Sequence, residues 1–137
     1  RPNAGRQRED QFSDGTLRLI GLLWSLLDAE SLLLLEEPEL SLHSSIVAKL
    51  PALIWRLQRE KKRQVLVSSH SSELFSDPGI SPAEVAVLMP RGNEGTEVAL
   101  ASDKQNIRLL LEGGMNIAEA VLPISAPKSV SQLSLFD

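Results

Sequence analysis

Leu32-Leu33-Leu34-Leu35 runs straight into Glu36-Glu37-Pro38-Glu39, and no other stretch restricts the fold of this chain as much. Four consecutive leucines need a fully buried strand or a turn of buried helix. A parallel strand covered on both faces reads as such an apolar run. Two adjacent carboxylates follow where the chain leaves the core, and Pro38, with no N–H to donate, ends the strand. Ligands of open α/β sheets bind just beyond the carboxyl ends of the strands. The run therefore delivers two negative charges to the place where a metal–nucleotide would lie. The same residues also suit a leucine-rich helix with a solvated acidic end.

The flanking segments favour the strand. Residues 16–29 are rich in Leu and read as a mostly buried helix, capped by Ser13 or Asp14. Residues 43–60 place Ile46, Val47, Leu50, Leu53, Ile54 and Leu57 at helical spacing, with Pro51 expected to kink the helix. Lys61-Lys62-Arg63 follows as a solvated basic turn, and residues 64–69 as a second buried strand ending at His70. Strand, helix and strand in this order imply a parallel unit with a right-handed crossover. Residues 84–90 and 95–100 read as short strands around Arg91-Gly92-Asn93-Glu94, a hairpin signal. Residues 103–112 read as a helix ending at Gly113-Gly114, residues 116–122 as a weaker one, and the polar tail from Pro123 as flexible.

Composition narrows the function classes. The 137 residues suffice for one modest domain with a core, and 42% of them are hydrophobic. The net charge of −4 excludes a generally cationic nucleic-acid binder, so any such contact needs a local patch. The chain has no cysteine, which excludes disulfides and thiolate metal sites and fits a reducing, cytoplasmic location. No apolar run reaches the ~18 residues of a membrane span, and the N-terminus is not signal-like. Arg1 in place of Met points to a fragment or a processed product.

Three patterns occur in a fixed order, and each has a physical task beside a nucleoside triphosphate. In Phe12-Ser13-Asp14-Gly15-Thr16 the start of a helix offers free N–H groups to an anion, Gly15 lets backbone approach a phosphate, and Ser13 adds a hydroxyl. A simple N-cap turn has the same composition. Glu36 can hold a hydrated Mg²⁺, and Glu37 can orient or deprotonate an attacking water; a solvated acidic turn is the plainer alternative. His70 can hydrogen-bond a γ-phosphate oxygen, although a strand-end histidine is commonly just a satisfied polar residue.

Taken together, the three patterns resemble the C-terminal half of an ABC-type ATPase head, of the kind found in SMC, RecF-like and OLD-like DNA-associated ATPases. FSDGT is similar to the signature motif of that family, which implies Ser13, Gly15 and Thr16 at the nucleotide. LLLLEE resembles its Walker B strand, with Glu36 at the metal and Glu37 as catalytic glutamate. Leu40-Ser41-Leu42-His43 falls at the D-loop, so Ser41 and His43 are implied near the nucleotide. VLVSSH resembles the switch strand, with His70 as the switch. EEPE is similar to the OLD-like branch; many members have Asp where Glu36 stands, and transporters usually have Asp where His43 stands. The resemblance covers roughly residues 11–90.

The implied fold class is α/β: a parallel-sheet P-loop NTPase C-terminal lobe with a short β-hairpin and a flexible tail. Its expected boundaries are 1–11 for a linker or truncated segment, 12–122 for the lobe and 123–137 for the tail. The implied cofactors are ATP and Mg²⁺. No G-x-x-x-x-G-K-[ST] occurs in the sequence, so the P-loop lobe is missing and this chain alone is expected to be inactive. In the family the signature motif acts across a head-to-tail dimer, which implies a second ATPase head as partner. DNA and a nuclease subunit are further partners that the resemblance allows; a membrane is not. The expected role is ATP hydrolysis in DNA repair or genome defence.

The tail carries a separate signal. Gln132-Leu133-Ser134-Leu135-Phe136 resembles the pentapeptide by which bacterial proteins dock on the sliding clamp. Gln132 would orient, Leu135 and Phe136 would anchor in an apolar pocket, and Leu133 would also meet the partner. A Leu/Ser tail packing on its own domain reads the same way. The alternative function is therefore a non-catalytic adaptor on the clamp.

Overall fold

The computed structural model describes residues 5–6, 8–28 and 31–126. Helix α1 spans Asp14–Asp28, starting two residues before the expected 16. Ser13 is its cap: Oγ accepts from Thr16 N–H at 3.3 Å, and the Ser13 carbonyl accepts from Leu17 N–H at 3.1 Å. Strand β1, Leu33–Glu36, is followed by α2, Ser44–Val47, and α3, Leu50–Lys61. Strand β2, Val65–Ser68, leads into α4, Ser72–Phe75. β1 and β2 pair in parallel, from Leu33 opposite Val65 to Glu36 opposite Ser68. The parallel pairing needs the long connection that α2 and α3 provide.

The chain divides into two compact units between Leu74 and Phe75. In the first, Leu22 and Leu26 of α1 and Leu50, Ile54 and Leu57 of α3 form the core, with Leu33, Leu35, Val65 and Val67 packed against it. Only one face of the β1–β2 pair is covered in this way. Leu34 is 67% exposed and Leu66 is exposed with it. This corrects the expectation of a strand buried on both faces. The leucines alternate as a strand demands, and nothing among the described residues covers the outer pair.

Two further expectations are corrected in this unit. Residues 43–60 are not one kinked helix. α2 ends at Val47 and α3 begins afresh at Leu50, with Pro51 in its first turn, where a missing N–H costs no helical hydrogen bond. Arg63 is not part of a solvated turn. Lys62 adopts a left-handed conformation, φ 51°, and ends α3. The chain then turns inward, and the 7%-exposed Arg63 donates from Nη1 to the Ser25 carbonyl of α1 at 2.9 Å.

In the second unit, β3, Ala86–Pro90, and β4, Thr96–Leu100, form the expected antiparallel hairpin. Gly95, φ 90°, lies in its turn, where the Arg91 N–H donates to the Gly95 carbonyl. Helix α5, Gln105–Glu112, and helix α6, Ile117–Ser125, pack Ile107, Ile117, Ala120 and Val121 onto Val85, Val87 and Ala101. The flexible tail expected from Pro123 therefore starts too early. Pro123 lies in the last turn of α6, and Ile124 still packs on the core. Among the described residues no helix is long and apolar enough to cross a membrane.

Candidate nucleotide site

The parallel ladder runs one residue past β1, where Glu37 N–H donates to the Ser68 carbonyl at 2.8 Å. Glu37 then takes φ 42°. A residue before proline is ordinarily extended, and a non-glycine residue in the left-handed region costs about 1–3 kcal/mol. The turn carries the Glu37 side chain towards the end of β2, and its Oε1 lies 2.7 Å from His70 Nδ1. The carboxylate accepts, so Nδ1 carries the proton and Nε2 is the nitrogen left for a ligand. The His70 side chain is 76% exposed and that of Glu37 35%. Both are accessible to a solute while held against each other.

Glu36 belongs to the opposite, exposed face, in line with Leu34 and opposite Ser68. Among the described residues no group of three or more His, Cys, Asp or Glu side chains could hold a metal. That donor set fits Mg²⁺ only as one carboxylate among waters and phosphate oxygens, the mode in which Mg²⁺ usually accompanies nucleotides.

Past Pro38 the backbone folds into two successive turns, with Leu40 N–H donating to the Glu37 carbonyl and Leu42 N–H to that of Glu39. Ser41 sits in them at φ 64°. Its carbonyl oxygen presses on Gly15, where a Cβ would overlap it. The structure thus brings Gly15 and Ser41 into contact, and the bare Cα of Gly15 is needed for a protein carbonyl. Ser13 and Thr16 are exposed beside Gly15, their hydroxyls 2.9 Å apart. His43 caps α2: Nδ1 accepts from Ser45 N–H at 3.2 Å and lies 2.8 Å from Ser45 Oγ. Among the described residues no hydrogen bond joins the Glu37–His70 pair to the Ser13–Thr16 group. Gln132, Leu133, Leu135 and Phe136 lie outside the described residues.

Sequence reasoning assigned no role to Glu39 and Ser69. Glu39 is 9% exposed, and its Oε1 accepts a hydrogen bond from Ser69 Oγ. Its Oε2 is buried with no hydrogen-bond partner among the described residues. Ser69 Oγ also accepts from Ser71 N–H at 3.0 Å. Beyond it, Glu73 of α4 is held below the ordinary carboxylate range by its own backbone N–H and by the Ser71 and Ser72 hydroxyls. The only available signal for Glu39 was its place in EEPE, which does not distinguish a buried carboxylate from a solvated one.

Two parallel strands thus end in a carboxylate and an imidazole in contact, and the helix start that carries Ser13 and Thr16 lies against the turn that follows the first of them. The chain belongs to the family described as "AAA domain, putative AbiEii toxin, Type IV TA system", whose model matches residues 1–77, more than half of the sequence. It is thus an AAA-type domain of the nucleotide-binding ATPase class, a class that uses nucleotide with Mg²⁺. No curated protein matches the chain.

Proposed function

We propose that this chain is the signature-bearing lobe of a dimeric ABC-type ATPase head of the SMC, RecF and OLD-like group. The observation that carries the reading is the contact of Glu37 with His70 at adjacent parallel strand ends, at a backbone position strained to make it. The P-loop comes from outside these 137 residues, on a lobe that covers the outer face of β1 and β2. Glu36, Leu34 and Leu66 lie uncovered on that face, and parallel sheets are ordinarily covered on both faces.

In this reading ATP lies along the carboxyl ends of β1 and β2. Glu37 orients the attacking water and takes its proton as the water oxygen bonds to the γ-phosphorus and the bond to the ADP oxygen breaks. His70 keeps Nδ1–H on Glu37 and turns Nε2 to a γ-phosphate oxygen. Glu36 would contribute one ligand to Mg²⁺, which when bound offsets phosphate charge. Ser13, Thr16 and the N–H groups opening α1 serve the nucleotide of the other head. Hydrolysis then releases the two heads. Genome defence or DNA repair is the setting this reading implies; the family description itself names a putative toxin of a Type IV TA system.

The test is Glu37→Gln in the complete protein. The variant is expected to bind ATP and hold the ATP-bound dimer while hydrolysis disappears. Hydrolysis at the parental rate would remove Glu37 from its assigned role.

A further inference from the structure

We infer that Glu39 and Ser69 form a latch that positions His70 for hydrolysis; the inference rests on the ATPase reading above. His70 sits at the apex of a three-residue turn. The turn is closed by the Ser69 hydroxyl, which accepts from Ser71 N–H at 3.0 Å. The same hydroxyl donates its proton to Glu39 Oε1. One oxygen atom thus closes the turn that carries the imidazole and ties it to the segment that carries Glu37. The ladder bond from Glu37 N–H to the Ser68 carbonyl fixes the two strand ends, and the latch fixes the two turns beyond them.

The chemistry of Glu39 argues against a merely structural part. Its second oxygen is buried with no partner among the described residues, and a half-satisfied buried carboxylate stabilises less well than an apolar side chain of the same size. Such a group persists where its geometry is needed. Here the geometry it sets is that of the turn beneath an exposed histidine, whose ring is held from its other side by Glu37. Glu39 and Ser69 touch no reacting atom. They act through His70 and are positioning residues.

The experiment measures steady-state ATP hydrolysis and melting temperature of the complete protein. Ser69→Ala is expected to lower kcat at least about tenfold, the order of loss seen when an orienting partner is removed, with KM for ATP unchanged. On a His70→Ala background the same substitution is expected to have no further effect, because the two act as a unit. Ser69→Thr, which keeps the hydroxyl, is expected to restore hydrolysis. Glu39→Met removes the acceptor at similar volume; it is expected to raise the melting temperature while lowering kcat as Ser69→Ala does. Parental kcat in Ser69→Ala, with His70→Ala impaired, would overturn the latch alone. So would an equal fold-loss from Ser69→Ala with and without His70. Parental hydrolysis in both Glu37→Gln and His70→Ala would overturn the site assignment and the latch with it, whereas no hydrolysis by the parent would overturn the ATPase reading itself.

Discussion

At Gly15 the absence of a side chain is what permits the fold. The Ser41 carbonyl occupies the space where a Cβ would be built, and both atoms in conflict belong to backbone or its immediate neighbour. Neither can swing away as a long side chain would. Gly15→Ala is expected to destabilise the first unit by about 1–3 kcal/mol, the usual cost of overpacking, measured by denaturant unfolding of the chain. A neutral substitution would show that the contact is loose. Glu97 gives a second expectation. The Lys104 ammonium at 2.6 Å, then the Arg91 guanidinium at 2.8 Å, hold its carboxyl below the ordinary range. A depressed carboxylate contributes stability that is present above its unfolded pKa, about 4.3, and is lost as pH falls through the folded value. The hairpin unit should therefore melt earlier as pH drops below about 4–5, and Glu97→Gln should flatten that acid slope. Equal slopes in parent and variant would contradict the assignment.

Elements were legible where a period exposed them and illegible where one residue turned the chain. β1 and β2 lie where the apolar runs put them, and the β3–β4 hairpin where its turn residues put it. The break between α2 and α3 was not readable, because six apolar residues keep helical spacing through it. Only the local requirement that Pro51 sit in a first turn separates the helices. Arg63 was hidden by its neighbours. Lys61 and Lys62 are solvated, and a left-handed Lys62 is what turns the third cation inward. Arg63→Ala should cost about 1–3 kcal/mol, from the lost bond to the Ser25 carbonyl and the lost packing of its stem. Chemical denaturation measures this, and a change below ~0.5 kcal/mol, the scale of ordinary surface sites, would contradict the buried placement. For the candidate site, the contact of Glu37 with His70 joins two residues that the sequence singled out. The Glu39–Ser69 link was not, since it depends on burial across thirty positions of sequence.

For the molecule as a whole, the four leucines carry two messages. Leu33 and Leu35 face a core that this chain completes, while Leu34 faces solvent. If the outer face meets a P-loop lobe, Leu34→Lys should behave differently in two settings. In the 137-residue chain it is a surface change worth within about 0.5 kcal/mol. In the complete protein it buries an unpaired charge and should cost several-fold more. Equal effects in both settings would mean that nothing covers this face. The dimeric, head-to-tail site is the central claim, and mixing two inactive variants of the complete protein tests it most directly. Ser13→Arg should disable the signature half and Glu37→Gln the hydrolytic half. Mixed together, they form heterodimers in which one site has both halves intact, so hydrolysis is expected to reappear. A mixture that stays inactive, although each variant folds and binds ATP, would contradict a site shared between two heads.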